Sequence, residues 1–473
     1  MSVQQRHRRR KVFAPGNSHP MDAISERRFL FSGSAQKRGS AMTKIMMTGL
    51  TRRSLLKTSA AAALIGAVKT AFPSGAFAAS AGPEVSGAKL GFIALTDSAA
   101  LIIAKEKGLF EKHGMPDVEV AKQASWGATR DNLVLGGEAN GIDGAHILTP
   151  MPYLMQTGKV TQNNVPVPMS ILARLNLDSQ AISVSKEYAA TGAGLDSSKL
   201  KESFAAKKAA GGEVKVAVTF PGGTHDLWMR YWLAAGGIDP DKDVSVIVVP
   251  PPQMVANMKV GNMDAFCVGE PWNEQLVNQG IGFTACSTGE IWKRHPEKAF
   301  SMRTEWVEKN PNAAKAIVMA LMEAQQWCDK MENKEEMASI VGKRQWFNVP
   351  PKDILGRLKG DINYGNGRVA EGTDLYMKFW QDHASYPFKS HDLWFLAENI
   401  RWGKLAPDTD IKGLVDKVNR EDVWRGAAKD LGVAAADIPG TSSRGKETFF
   451  DGKVFDPENP AAYLESLSIK ASS

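Results

Sequence analysis

Residues Val214–Val249 read VKVAVTFPGGTHDLWMRYWLAAGGIDPDKDVSVIVV. The Val/Ala-rich run Val214–Thr219 predicts a strand. Gly222-Gly223-Thr224 opens a helix over Thr224–Ala235, which Gly236-Gly237 closes, and Val244–Val249 predicts a second strand. A strand, a helix and a second strand at this spacing form the repeating unit of a parallel α/β sheet. The pattern continues on both sides. Upstream, Lys89–Leu95 is an apolar strand, Ser98–His113 has helical spacing, and Val118–Val120, Gly141–His146, Pro168–Leu175 and Ala181–Ser185 predict further strands. Helices are expected between them at Thr129–Gly136 and Thr149–Thr157. Downstream, Pro250-Pro251-Pro252 breaks the strand and starts the helix Gln253–Val260, and Ala265–Val268 is again a strand. Asn310–Met331 predicts a long helix with Ala, Leu and Met on one face.

Two such α/β units, one inserted in the chain of the other, suggest a two-lobed binding protein. Ligands of α/β sheets sit beyond the carboxyl ends of the strands, and between two lobes those ends face one cleft. The expected division is 1–78 as leader, 86–185 as the first part of lobe 1 and 186–300 as lobe 2. Residues 301–385 form a helical return to lobe 1, and 386–473 a C-terminal wrap. The wrap is expected to pack over the core as a helical or irregular extension, because a free linker would not carry Trp394, Phe395 and Trp402.

The chain has 473 residues, 43% hydrophobic and 23% charged, which excludes wholesale disorder. No uninterrupted apolar run reaches the roughly 18 residues of a membrane span, so a polytopic membrane protein is excluded. The formal charge of +7 is unevenly distributed. Residues 1–78 hold fourteen Lys/Arg and two acids, leaving 44 basic against 49 acidic residues in the remainder. A nucleic-acid partner needs a basic body, and this body is mildly acidic.

The basic leader contains Thr51-Arg52-Arg53-Ser54-Leu55-Leu56-Lys57, a twin-arginine export motif, then the small apolar run Thr58–Val68 and Ala76-Phe77-Ala78 as a cleavage site. That order defines a signal peptide for the twin-arginine translocase and a periplasmic destination. No Cys lies at the cleavage site, so no lipoprotein anchor is expected. The upstream residues 1–49 fit a misplaced start, with Met42, Met46 or Met47 as initiator. Cys267, Cys286 and Cys328 are read as buried thiols, since export of a folded chain implies folding in a reducing compartment.

Several segments carry a family resemblance. Lys89–Thr96 with Lys105–Phe110 resembles the opening of NMT1-type substrate-binding proteins. Ala124–Gly127, Asp143–His146, Thr219–Asp226, Val268–Asn273 and His295–Lys298, in that order, resemble the nitrate-binding proteins of nitrate ABC transporters and their bicarbonate relatives. The resemblance spans about Lys89 to Leu405. It implies a type II, C-clamp α/β receptor that captures nitrate, and also nitrite, and passes it to the permease and ATPase of an importer. It carries over Trp126, Gln180, His225, Gly269 and Lys298 as ligand-contacting positions, with no catalytic residue, cofactor or metal.

The residue chemistry agrees. Nitrate offers only acceptors, so its pocket must offer donors: the Trp126 indole N–H, the Gln180 amide, one His225 N–H, the Gly269 backbone N–H and the Lys298 ammonium as countercharge. The start of the helix at Gly222–Thr224 adds partial positive charge. Taken singly, each has a plainer reading: Trp126 as a core aromatic, His225 as a capping group, Gly222-Gly223 as a turn, Lys298 as a solvated charge. Glu270 and Asp226 are read as salt-bridge or interlobe residues, and His146 and His391 as structural. Three alternatives stay open. One is a bicarbonate receptor using calcium, although no D-x-D-x-D-G loop is present. A second is a nitrate sensor regulating transcription, if the chain is not exported. The third is an enzyme, for which Cys267 and His225 lack a nucleophile-elbow setting.

Overall fold

A computed structural model describes residues 82–471 of the chain. The twin-arginine motif, the cleavage site and the rest of the leader lie outside the described residues. Ten strands fall into two five-stranded mixed sheets. In chain order they are β1 (Lys89–Phe92), β2 (Glu119–Lys122), β3 (Gly144–Leu148), β4 (Met169–Arg174), β5 (Gln180–Ser185), β6 (Lys215–Val218), β7 (Ser245–Val248), β8 (Ala265–Gly269), β9 (Gly282–Ser287) and β10 (Lys298–Arg303). The first sheet has the order β2-β1-β3-β10-β4 and the second β7-β6-β8-β5-β9.

The two sheets are built alike. Each has three parallel strands, β2-β1-β3 or β7-β6-β8, and one strand antiparallel to both its neighbours. That strand is β10 in the first sheet and β5 in the second. Strands β3, β4 and β8 are buried along their whole length, as expected for a sheet covered on both faces. Their sequences are apolar or small-residue apart from His146 and Arg174, which find buried partners in Asp97 and Asp392.

The antiparallel strand of each sheet enters from the other lobe. The chain leaves β4, crosses over residues 175–179 and begins β5. It leaves β9, runs through residues 288–297 and begins β10. The two crossings lie side by side, Leu177 bridging Pro296 in antiparallel fashion. The sequence had placed residues 181–185 in lobe 1 and everything to 300 in lobe 2. The structure exchanges them, because strand periodicity reports burial and not which sheet a strand joins. Gln180 and Lys298, the first residues of the two exchanged strands, therefore stand at the junction of the lobes.

Helix placement follows local chemistry. Ser125 accepts the Ala128 N–H at 3.1 Å and caps a helix over Trp126–Leu135, so Trp126 is its first residue. The expected helix over Ser98–His113 is two helices, Ala99–Glu106 and Leu109–Lys112, divided at Gly108, whose φ of +67° ends the first. The Thr224–Ala235 helix has the expected bounds.

The C-terminal segment is the helical part of the expected helical or irregular extension. It contains helices at Lys389–Arg401, Ile411–Val418, Glu421–Leu431 and Pro460–Glu465. Trp394 stacks on Trp228 of the Thr224–Ala235 helix, centroids 4.8 Å apart at 20°. Asp392 pairs with Arg174 of β4 at 2.7 Å, both fully buried. The segment thus packs against elements of both lobes. Trp394→Ala is expected to lower the unfolding free energy by about 3–5 kcal/mol, read by chemical denaturation; a change below about 1 kcal/mol would mean that the stack contributes little.

Candidate functional site

The chemistry-bearing residues collect where the strand ends of both sheets meet the two crossings. Trp126 opens the helix after β2, His225 is the second residue of the helix after β6, and Gly269 ends β8. Gln180 begins β5 and Lys298 begins β10. Trp126, Gln180, His225 and Lys298 are all 0% exposed, and Gly269 is buried. All five residues expected from the sequence converge on one enclosed site.

Asp97, just beyond β1, is the hub that the sequence reading missed. Its Oδ2 lies 2.9 Å from the Lys298 ammonium and accepts the Gln180 amide at 3.1 Å. Its Oδ1 accepts from His146 Nε2 at 2.6 Å. His146, read as structural, lines the same site: its ring centroid is 5.3 Å from that of Trp126, and its role is to hold Asp97. Gln180 presents its carbonyl oxygen to His225 Nε2 at 2.8 Å, and His225 Nδ1 is 2.6 Å from the Thr219 hydroxyl.

Glu297 closes the other side of the ammonium. Its Oε1 is 2.7 Å from Lys298 Nζ and also accepts the Thr224 hydroxyl; its Oε2 accepts the Trp228 indole N–H at 2.7 Å. Lys298 is therefore a fully buried ammonium between two carboxylates, and the solvated-charge reading is wrong for it. Burial alone would push its pKa down; Asp97 and Glu297 outweigh that and hold it above the ordinary lysine value. Burial pushes Asp97 up, but Lys298 and His146 hold it well below the usual carboxylate range. Glu297 is lowered too, with burial opposed chiefly by Lys298. Burial and then Lys298 bring His225 down to about 3, so it is neutral at ordinary pH. His146 is also lowered, by burial against the pull of Asp97.

Two features leave capacity for a ligand. The Trp126 indole N–H is buried and donates to no described protein atom, and the Lys298 ammonium lies 6.0 Å from the Trp126 ring centroid. Gly269 lets the Gln180 and Asp97 side chains close in on the strand: a β-carbon there would stand 2.5 Å from Gln180 Oε1 and 3.2 Å from Asp97 Oδ2. The lobes meet tightly around the site. Thr96 N–H donates to the Glu270 carbonyl at 2.7 Å, and the Trp272 indole to the Ala94 carbonyl at 3.0 Å. A β-carbon at Gly223 would reach Leu148 Cδ1 at 2.6 Å. A ligand enters this site only if the lobes part.

The remaining sequence candidates fall elsewhere. Glu270 pairs with Arg357 at 2.7 Å and Asp226 with Arg230 at 2.7 Å, both as salt bridges. His391 is buried beside Trp292, outside the site. Cys267, Cys286 and Cys328 are free and buried, and burial raises all three thiols. Among the described residues no group of three or more His, Cys, Asp or Glu side chains is placed to hold a metal ion. No described helix is long and apolar enough to cross a membrane.

A model of the NMT1-like family matches residues 81–342. The chain belongs to the NMT1-like family. It is 63% identical over 390 residues to the nitrate/nitrite binding protein NrtA of Synechocystis, an alignment covering 82% of this chain and 86% of that protein. The crystal structure of the periplasmic nitrate-binding protein NrtA from Synechocystis superposes with a TM-score of 0.80, covering 82% of this chain and all of that one. The bicarbonate-binding protein CmpA of Synechococcus elongatus is 45% identical over 396 residues, covering 82% of this chain and 88% of that protein. The two lobes are thus those of a type II α/β substrate-binding protein.

Removing the ammonium would strand two buried carboxylates. Lys298→Met is expected to cost about 3–5 kcal/mol of stability at neutral pH, and adding Asp97→Asn to recover part of it. Thermal or chemical unfolding of the single and double variants measures this. Strictly additive losses would deny the coupling.

Proposed function

We propose that the chain is a non-catalytic receptor that captures nitrate, with nitrite as a second ligand, between its lobes. It then delivers the anion to the permease and ATPase of an ABC importer. The observation that carries this reading is the donor set around one buried ammonium: an unpartnered Trp126 indole N–H, the second N–H of the Gln180 amide and Lys298, with His225 holding the Gln180 carbonyl oxygen and Gly269 letting Gln180 close in. Nitrate presents acceptors on every edge of a plane, and each donor replaces part of its hydration. Charge-assisted bonds contribute roughly 1.5–3 kcal/mol each. A few of them, less ordering costs, reach the micromolar range of about −8.2 kcal/mol.

Nitrate is favoured over bicarbonate on two grounds. Identity to NrtA exceeds identity to CmpA, 63% against 45%. In addition, both carboxylates that could hold calcium here, Asp97 and Glu297, are committed to Lys298. The twin-arginine motif at Arg52-Arg53 and the Ala76-Phe77-Ala78 exit support export to the periplasm, where the receptor meets its permease.

Calorimetry of the mature chain against nitrate, nitrite, bicarbonate and sulfate, with calcium and with EDTA, tests the reading. Nitrate is expected to bind in the micromolar range in either medium. Calcium-dependent bicarbonate binding without a nitrate response would replace it. Trp126 fluorescence should change with nitrate. Gly269→Ala, whose methyl would crowd Gln180 Oε1, should weaken nitrate at least tenfold, about 1.4 kcal/mol. Unaltered affinity in Gly269→Ala would place the ligand elsewhere.

A further inference from the structure

The charges of the site do not balance for an anion. One ammonium, Lys298, faces two carboxylates, Asp97 and Glu297, for a net formal charge of −1 with His146 and His225 neutral. The start of the Thr224–Ala235 helix offsets part of this. A monovalent anion would take the buried sum to −2 with no solvent to screen it, and an uncompensated buried charge is costly. A positive charge that arrives with the anion relieves that cost.

The hydrogen-bond network shows where that charge can go. Gln180 turns one end of its amide to Asp97 Oδ2, a carboxylate that only accepts, so that end is the NH₂. Its oxygen then faces His225 Nε2 and requires an N–H there. Neutral His225 thus has a bare Nδ1, which accepts the Thr219 hydroxyl. A hydroxyl can reverse: once Nδ1 carries a proton, Thr219 Oγ1 accepts it by rotating about one bond. His146 has no such freedom. Its Nε2–H is committed to Asp97, and its Nδ1 faces the Ile93 backbone N–H at 3.5 Å, a donor that cannot turn round.

We infer that the site takes up its anion together with one proton from solvent, and that the proton is placed on Nδ1 of His225 with Thr219 switching from donor to acceptor. The inference rests on the proposed anion-binding role. The groups facing His225 are Lys298 and Glu297 at the start of β10, Asp97 after β1 and His146 in β3, with Nε2 at 3.5 Å from Lys298 Nζ and 3.8 Å from Glu297 Oε1. On its own helix, Asp226 is turned away to Arg230 and the Gly222 N–H. His295 adjoins Glu297 at 3.8 Å on the far oxygen. Burial keeps the Cys267 thiol protonated. Before binding, the low His225 pKa keeps Nδ1 bare; the arriving negative charge raises it. The sign follows: rising pH withholds the proton and weakens binding.

Nitrate calorimetry of the mature chain in phosphate and in Tris, buffers of small and large ionisation enthalpy, counts the protons. The expected result is an uptake approaching one proton per nitrate at neutral pH. Affinity should fall as pH rises above about 3, the value of His225 in the unliganded site, by up to about tenfold per pH unit until the pKa reached in the complex. Thr219→Val should lose most of the uptake, and Thr219→Ser should keep it. Nitrate binding with equal heats in both buffers and a flat pH profile overturns the inference while leaving nitrate recognition intact. Unchanged uptake in Thr219→Val overturns the assignment to His225 Nδ1. No nitrate binding in any buffer overturns both this and the reading it rests on.

Discussion

The Lys298 ammonium lies where both lobes and both crossings meet, 2.9 Å from Asp97 and 2.7 Å from Glu297. No part of that triad is exposed. Asp97 belongs to one lobe, Lys298 begins the strand that returns to it, and Glu297 anchors the Thr224 hydroxyl and the Trp228 indole of the other lobe. Taking these three charges out of water is costly, and the arrangement persists because each oxygen has a donor. The cluster therefore couples the closed arrangement of the lobes to the electrostatics of the site. A ligand that competes for the ammonium acts on both together.

The topology explains why the cluster sits there. Each sheet gives its parallel strand ends to the cleft and receives its antiparallel strand from the opposite lobe. Gln180 and Lys298 are thus the first ordered strand residues after each crossing, held by sheet pairing on one side and free to face the cleft on the other. Gln180 pairs in register with Gly269, so the amide and the glycine that makes room for it are fixed by one ladder. The C-terminal helices brace the back of the site: Trp394 stacks on Trp228, and Asn399 donates to the Gly222 carbonyl at 3.1 Å.

Much of this was legible in the sequence. The helix at Thr224–Ala235 could be read to the residue because glycines bracket it. Four of the five candidate positions stand in the ordered motifs, Gln180 lies outside them, and the fold brings all five together. Trp126 opens its helix three residues before the expected start, where the Ser125 side chain caps it. The exchange of β5 and β10 was hidden, because only pairing between residues 81 to 158 positions apart decides it. Asp97 carried no local signal beyond being an acid between an apolar strand and an apolar helix. The Lys389–Arg401 helix was masked because it is buried nearly all round, its acids neutralised by distant partners such as Arg174 with Asp392 and by neighbours such as Arg401 with Glu398.

The central claim is that the enclosed cluster around Lys298 is the seat of a planar anion. A crystal structure of the mature chain grown with nitrate tests it most directly. The account predicts a flat anion within hydrogen-bond distance of Trp126 Nε1 and Lys298 Nζ, beside Gly269 and His225. An anion bound elsewhere, with the Trp126 N–H still without an acceptor and the Asp97–Lys298–Glu297 triad unaltered, would contradict it.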